Sequence, residues 1–455
     1  MLSTAVGAIL AMGLQGSPEF AAFPVDALLA AIRAQSVHRD RVSWPEVEPE
    51  VRAQVDAATT NAERANAIVA LFARMGDVHS QLVYRGQTYA HYEGMDDAVR
   101  ARLLPLLERE RAQQGKAVTQ VIDGHIGYVL VPGFQIGLDR VEVVGAALRR
   151  QVEELAEKQL DGWIIDLRLN GGGNLYPMLL GLYPILGDGV VGGTTDASGR
   201  VVQRWVLKPD GLFWRDEMGD RRIASGAAPK APVDPAVPVA VLVGPLTISS
   251  GEALALAFRG RLHTALIGEP TARGYTTVTN PLVIDADTVL NLAVGYMADR
   301  TGAACREFVA PDVVVEGGES FDVLADDRQV QEALKWIRGE LADPPPPAPP
   351  PSPPPAEPRP ASAVAPARAA VSEIVMVPGM EIAATTDLGT ITIVAGSGRW
   401  RTYRWNECER SVELWPRPAR WYGKFGLYYP GPGDHWAECD GITRGVVDEA
   451  WWPCE

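Results

Sequence analysis

Pro245–Glu252 contains a serine, Ser249, at a predicted strand-to-helix turn, where many folds place a nucleophile. An apolar stretch, Val237–Val243, predicts a strand before it, and an Ala/Leu-rich stretch, Ala253–Phe258, predicts a helix after it. A serine at such a turn projects its hydroxyl, and the amino end of the following helix favours developing negative charge. Ser249 is therefore a candidate nucleophile. Ser249 and Glu252 also have capping-box spacing, so a purely structural role stays open from this segment alone.

Two further segments contain the other groups that acyl transfer needs. The stretch 164–174 predicts a buried strand that ends in the glycine turn Gly171–Gly173, and a helix, Leu175–Leu182, follows it. Glycines let backbone amides approach a substrate closely, as an oxyanion site requires. His79 follows the helical stretch Ala65–Arg74, and an imidazole has an ordinary pKa of about 6.5, suited to general-base work. Hydroxyl, imidazole and free amides together predict acyl transfer.

Four motifs follow one another along Ile126–Val315: DLRLNGGGN, TISSGEALA, LIGEPTARG and VAPDVVV. In this order they resemble the C-terminal-processing (tail-specific) serine peptidases. The resemblance implies the α/β spiral fold shared with crotonase and Clp peptidase subunits, and hydrolysis of peptide bonds through an acyl-enzyme. It also implies that Ser249 is the nucleophile and that the amides of Gly172 and Ser250 form the oxyanion hole.

One departure from that family concerns the base. Members with a Ser-Lys dyad carry the lysine in the turn after the IGE motif, but the turn here has no lysine and places Gly274 at the aligned position. Arg273 cannot replace it, because a guanidinium stays protonated near neutral pH. The chain thus resembles the tricorn-core branch, which uses a histidine from an upstream segment. His79, in its D-x-H context, matches that position.

The group that orients the histidine has three candidates. In the tricorn-like branch a glutamate shortly before the x-P-D strand orients it, which favours Glu307, although Glu307 lies about two residues off the usual spacing. Asp77 and Glu252 are the rivals, and we rank Glu307 first. We expect no metal and no cofactor.

The chain predicts a helical amino-terminal region followed by an α/β core. Helical periodicity runs from Val25 to Arg74, and an amphipathic helix follows at Asp96–Gln114. Strands and helices then alternate, which indicates a sheet with crossover helices. The predicted core helices include Val141–Lys158 and Ser320–Leu341, and the predicted core strands are Gly127–Val131, Trp163–Leu167, Val237–Val243, Thr264–Ile267 and Asp312–Val315.

We predict five segments: an apolar leader (1–22), the helical region with His79 (23–118), the peptidase core (119–342), a proline-rich linker (343–368) and a small carboxy-terminal β domain (369–455). Trp residues crowd the last segment, which indicates either a glycan- or peptide-binding surface or a small aromatic core. The family's usual PDZ domain has only the interval Tyr84–Ala117 available, and we expect it to be absent.

Composition limits partners and compartment. The formal net charge of -15 argues against nucleic acid, whose phosphates would be repelled, and we expect no membrane span. The apolar start lacks the basic residues of a standard signal peptide, yet it favours export to the periplasm or outside the cell over a cytoplasmic location. Cys408, Cys439 and Cys454 lie in the tail, which predicts one disulfide there, and their spacing does not resemble a zinc site.

The sequence therefore predicts a serine-type endopeptidase that acts on peptides or proteins without a cofactor. The alternative is a catalytically inactive ligand-binding or scaffold protein on the same fold, because the lysine and the PDZ domain are both missing.

Overall fold

The computed structural model describes residues 23–92, 97–113 and 115–342, and beyond residue 342 it describes strands between residues 381 and 453. The chain divides into two compact units, Met1–Ala356 and Glu357–Glu455. All candidate catalytic residues lie in the first unit. None of the described helices is long and apolar enough to cross a bilayer.

The first unit combines helices with two β-sheets. Its helices are α1 (Val25–Gln35), α2 (Trp44–Ala57), α3 (Asn61–Arg74), α4 (Asp97–Gln113), α5 (Val141–Ala156), α6 (Leu175–Gly181), α7 (Tyr183–Leu186), α8 (Ser250–Phe258) and α9 (Arg328–Ile337). Its strands are β1 (Gln81–Tyr84), β2 (Gln87–Ala90), β3 (Val118–Ile122), β4 (Ile126–Leu130), β5 (Gly162–Asp166), β6 (Gly189–Thr195), β7 (Val201–Lys208), β8 (Gly211–Asp216), β9 (Gly219–Ser225), β10 (Val239–Val243), β11 (Thr264–Gly268), β12 (Thr277–Asp285), β13 (Thr288–Ala298) and β14 (Val313–Val314).

The six-stranded sheet has the order β14-β11-β10-β5-β4-β3, and every neighbouring pair is parallel except β3 with β4. Strands β4, β5 and β10 are buried along their whole length. Such continuous apolar strands are typical of a parallel sheet that is covered on both faces. This sheet confirms the α/β class and the five predicted core strands to within two residues.

A second, eight-stranded sheet is wholly antiparallel and was not predicted from the sequence. Its order is β2-β1-β13-β6-β7-β8-β9, and β12 also pairs with β13. Several of its strands lack a clean alternation of apolar and polar residues, and β6 contains three glycines. The hydrophobic periodicity of the sequence therefore did not predict these strands.

The amino-terminal helices pack on this second sheet. Leu28 of α1 and Phe72 of α3 are fully buried in one cluster with Leu82 of β1 and Leu290 of β13. The helical amino-terminal region is thus confirmed. Because α3 is fixed against β1, the short segment that joins them, which carries His79, has a defined path.

One predicted core helix has different bounds. The helix expected at Ser320–Leu341 begins only at Arg328, since the Asp327 carboxylate caps it by accepting hydrogen bonds from the amides of Gln329 and Val330, both at 3.0 Å. The segment before it is a bend followed by a short 3-10 turn at Leu324–Asp326. An aspartate at this position starts a helix rather than continuing one.

The second unit contains β-strands: β15 (Glu381–Thr386), β16 (Gly389–Ala395), β17 (Trp400–Trp405), β18 (Cys408–Glu413), β19 (Arg420–Trp421), β20 (Leu427–Tyr429), β21 (His435–Ala437), β22 (Arg444–Val447) and β23 (Ala450–Pro453). The predicted leader and linker, and the side chains of the tail cysteines and tryptophans, lie outside the described residues. The predictions that rest on them remain predictions.

Candidate active site

Three neighbouring strands bring the candidate segments to one edge of the parallel sheet. In the sheet β10 lies between β5 and β11, with Leu242 beside Asp166 and Val243 beside Gly268. The glycine turn follows β5, the Ser249 turn follows β10, and the segment 269–276 follows β11. The carboxyl ends of parallel strands meet at the same edge, which is where open α/β sheets bind ligands.

Ser249 has a strained backbone, with φ 54° and ψ -112°. These angles are those of the first central residue of a type II′ turn, a position that glycine usually fills. The turn is closed by a hydrogen bond of 2.9 Å from the Gly251 amide to the Ile248 carbonyl. A residue that only caps a helix adopts the relaxed β region, whereas strain of this kind costs about 1–3 kcal/mol and is concentrated at functional sites. Capping alone does not explain the conformation of Ser249.

Glu252 supports this turn from inside the protein. Its buried carboxylate accepts hydrogen bonds from the Ser249 amide at 2.9 Å and from the Thr271 hydroxyl at 2.5 Å. The Ser249 hydroxyl faces the Glu252 amide, as in a capping box, without full hydrogen-bond geometry. Burial raises the pKa of Glu252 to about 8, although these two hydrogen bonds oppose the shift. Both carboxylate oxygens of Glu252 therefore bind groups other than His79.

The glycine turn lies directly against the Ser249 turn. Gly172 has φ 93°, and a Cβ at this position would lie 2.9 Å from the Ile248 carbonyl oxygen and 3.0 Å from Ser249 Cβ. Both the conformation and the contact require glycine here. The glycine turn therefore lies beside the candidate nucleophile.

The two amides assigned to the oxyanion hole differ in their hydrogen bonds. The Gly172 amide donates a hydrogen bond of 3.1 Å to Asn170 Oδ1, so this bond must be released before the amide can bind an oxyanion. The Ser250 amide lies in the first turn of α8, where amides have no acceptor within the helix. The Ser250 hydroxyl donates to the Gly173 carbonyl and ties the two turns together.

The second sheet fixes the backbone around His79. Asp77 is buried, and its Oδ1 accepts hydrogen bonds from the amides of His79 at 3.0 Å and Ser80 at 2.9 Å. The Ser80 hydroxyl donates to Asp77 Oδ2 at 2.6 Å and accepts from the Ala293 amide of β13 at 2.9 Å. Asp77 thus shapes the chain that carries His79 rather than bonding to the imidazole.

The imidazole of His79 is held by β12. Its Nδ1 lies 2.8 Å from the hydroxyl oxygen of Thr277, and its ring packs edge-on against Tyr275 at a centroid distance of 5.3 Å. Burial lowers the pKa of His79 to about 4, and the charge of Asp77 and the backbone of Thr277 only partly oppose this. The ring is therefore neutral near pH 7. Among the described residues no hydrogen bond joins His79 to Ser249.

One segment contacts both candidates. Thr271, at its start, bonds to the Glu252 carboxylate that holds the Ser249 amide, and the next amide, of Ala272, donates to the Thr247 carbonyl at 3.3 Å. At its end, Thr277 bonds to His79. The segment 271–277 therefore links the nucleophile turn of the first sheet to the imidazole of the second.

Glu307 lies elsewhere on the same surface. Its carboxylate pairs with the Arg273 guanidinium, and both side chains are about 65% exposed. Its backbone carbonyl also contacts the segment 271–277, by accepting from the Gly274 amide at 2.7 Å, but its carboxylate makes no hydrogen bond to His79. The position next to His79 Nδ1 that we expected Glu307 to fill is occupied by Thr277. No feature of the sequence distinguishes Thr277 from the neighbouring threonines at the start of β12.

The DLR motif has a structural role at the same sheet edge. Arg168 is buried between two carboxylates, with nitrogen–oxygen distances of 2.6 Å to Asp166 and 2.8 Å to Asp327. Asp166 also accepts a hydrogen bond of 2.7 Å from the Tyr128 hydroxyl. Since Asp327 caps α9, this network ties the end of β5 to the last core helix and holds the edge rigid.

Comparison with known proteins agrees with the motifs. The sequence profile of peptidase family S41 matches residues 125–315. A nisin-resistance protein of Lactococcus lactis subsp. lactis is 30% identical over 192 residues, which are 41% of this chain and 53% of that protein. The chain thus spans about half the length of this curated relative.

One solved structure shares the fold, and another aligns with a lower TM-score. A lipoprotein from Streptococcus agalactiae is 20% identical and aligns over 72% of this chain and 100% of its own, with a TM-score of 0.52. The photosystem II D1 C-terminal processing protease is 15% identical and aligns over 64% of this chain and 92% of its own, with a TM-score of 0.41. In its profile match and in its ordered motifs, the segment 125–315 of this chain is similar to peptidase family S41.

Proposed function

We propose that this protein is a serine peptidase in which Ser249 is the nucleophile and His79 the general base. The observation that carries the proposal is the backbone of Ser249, which is held at φ 54° in a strand–turn–helix junction. A serine kept in a conformation that suits glycine needs a reason, and presentation of its hydroxyl is the reason that this junction offers.

In the proposed reaction the Ser249 oxygen attacks the peptide carbonyl carbon while Nε2 of His79 takes the hydroxyl proton. The carbonyl oxygen becomes an oxyanion, which the Ser250 amide binds together with the Gly172 amide once that amide leaves Asn170. His79 then gives the proton to the departing amine as the C–N bond breaks. Water, deprotonated by the same imidazole, attacks the acyl-enzyme and releases the second product.

Thr277 takes the orienting role that a carboxylate has in most serine hydrolases. When Nδ1 of His79 carries the proton, it donates to the Thr277 hydroxyl oxygen, which leaves the lone pair on Nε2 for Ser249. A neutral partner suits this imidazole, because its lowered pKa already keeps it unprotonated near neutral pH. Hydrogen bonds of a catalytic pair are often long in free enzymes and shorten when substrate binds.

The first test is labelling with a fluorophosphonate, followed by peptide mapping. We expect label on Ser249, and none on the adjacent Ser250. Ser249→Ala and His79→Gln should each lose roughly a thousandfold or more of kcat toward a random peptide library. The matched control is His125→Gln, which changes an exposed histidine before β4 and should keep wild-type activity.

The alternative, a ligand-binding protein on the same fold, gives different results in this test. It predicts no label on Ser249 and no library cleavage by the wild type. Turnover that persists in Ser249→Ala would also reject our assignment, because another group would then perform the chemistry.

A further inference from the structure

A small pocket is lined by residues that adjoin or contact His79. Its volume is about 200 Å³, and Val78 and Thr277 form part of its wall. Val78 precedes His79 in the chain, and Thr277 is the hydrogen-bond partner of His79 Nδ1. The pocket is too small for a drug-sized ligand and fits a single side chain or chain end.

The charged groups around this pocket are mostly cationic. Arg41, Arg273, Arg306 and Glu307 line it, so positive charges exceed negative ones by two. His38 also lines it and adds no charge near pH 7, since burial lowers the pKa of His38 to about 4. The whole chain has a formal net charge of -15, which makes a cationic pocket an exception on this protein.

Two of the three guanidinium groups have no carboxylate partner among the described residues. Arg41 donates to the carbonyl of Met75 at 3.0 Å and lies near the Tyr296 hydroxyl. Arg306 donates to the Ala197 carbonyl at 3.1 Å and packs over the Tyr296 ring at 4.8 Å. These contacts orient both side chains without neutralising them. Arg273, by contrast, is paired with Glu307.

We propose that this pocket is a substrate subsite that binds a carboxylate of the peptide being cleaved. A guanidinium presents a planar set of donors that matches a carboxylate, and such charge-assisted bonds are stronger than neutral ones. The carboxylate has two sources in a peptide: the chain terminus and the side chain of Asp or Glu. The inference rests on the proposed function, because the pocket selects substrates only if the neighbouring imidazole acts on them.

Four synthetic decapeptide libraries test the proposal. Two have free carboxyl termini and two have amidated termini, and one library of each pair lacks Asp and Glu. With the wild type we expect cleavage of carboxylate-containing members to exceed cleavage of carboxylate-free members by roughly tenfold, the value of one charge-assisted bond. Preference for free termini without acidic residues identifies the chain end, and preference for acidic members with amidated ends identifies the side chain.

Arg306→Met should reduce this preference to about onefold to threefold. It is chosen over Arg41 because Arg41 also holds the backbone before His79. The matched control is Arg338→Met, which removes an arginine outside the pocket that is paired with Asp123. Melting temperatures of both variants check that the fold is kept.

A binding measurement keeps this test separate from the test of catalysis. The Ser249→Ala protein, which the proposed mechanism makes inactive, should retain free-acid library members better than amidated ones, and Ser249→Ala/Arg306→Met should lose that difference. Equal retention of both libraries by the Ser249→Ala protein, or equal effects of Arg306→Met and Arg338→Met, would overturn the subsite and leave the proposed nucleophile untouched. Unlabelled Ser249 together with selective retention would instead overturn the peptidase and leave the carboxylate site standing.

Discussion

Thr277→Val tests whether a hydroxyl orients the imidazole. Valine keeps the shape of threonine and removes only the hydroxyl that lies 2.8 Å from His79 Nδ1. A hydrogen bond between neutral groups contributes about 0.5–1.5 kcal/mol, which corresponds to about a 2- to 12-fold change in rate. Because this bond also decides which ring nitrogen carries the proton, we expect the upper part of that range, about tenfold in kcat, with KM within about twofold.

The neighbouring residue provides a matched control. Thr276 is buried, and within the described residues no hydrogen bond joins its hydroxyl to His79, so Thr276→Val should keep full activity. Thr277→Ser, which retains a hydroxyl, should recover most of the lost kcat. Steady-state cleavage of the peptide library measures all three variants.

The competing orienting group is Glu307, whose carboxylate pairs with Arg273 on the surface. Glu307→Gln should change kcat less than Thr277→Val does. If instead Glu307→Gln lowered kcat more than about tenfold while Thr277→Val stayed near the wild type, the reasoning from the observed contact would be refuted. The imidazole would then have to change partner when substrate binds.

Three further predictions concern protons and strain. Burial lowers the pKa of His79 to about 4, so the imidazole remains an unprotonated base well below pH 6.5. In a pH profile, kcat/KM should therefore fall only near pH 4–5 on the acid side. A fall near pH 6.5 would mean that the base is a histidine with an unshifted pKa. Burial raises the pKa of Glu252 from 4.5 to about 8, so the folded state holds a proton that the unfolded state releases. The contribution of Glu252 to the free energy of unfolding should therefore fall as pH rises from 4.5 to about 8, by at most about 1.4 kcal/mol per pH unit. The difference between the wild type and Glu252→Gln in urea titrations isolates this slope from the opposite slope of His38 and His79, whose pKa values are lowered. Finally, glycine tolerates the φ of 54° at position 249 better than alanine does, so the free energy of unfolding of Ser249→Gly should exceed that of Ser249→Ala by about 1 kcal/mol. Both variants should be inactive. Equal free energies of unfolding would mean that the turn is not strained.

Much of the first sheet and its edge could be predicted from the sequence. Continuous apolar stretches indicated the buried parallel strands, and the residues after them marked the turns of Gly172 and Ser249 because glycine and a Ser-x-x-Glu pair have strong local preferences. These preferences depend only on residues that are close in the sequence, so the sequence alone predicts where such strands end and such turns begin. The turn after β11 contains no lysine, which likewise favours His79 as the base from sequence alone.

The partners of His79 depended on contacts between distant parts of the chain. Thr277 meets His79 only because β1 and β12 both pair with β13 in a sheet whose irregular strands have no clear periodicity. The cationic pocket likewise gathers Arg41, Arg273 and Arg306 from three separate segments. The sequence by itself determined which residues could attack and accept a proton, since that follows from side-chain chemistry and local turn preference. The tertiary structure decided which groups orient the imidazole and which charges surround it. Hydrogen bonds and ion pairs depend on distances between residues that are far apart in the chain, and only folding establishes those distances.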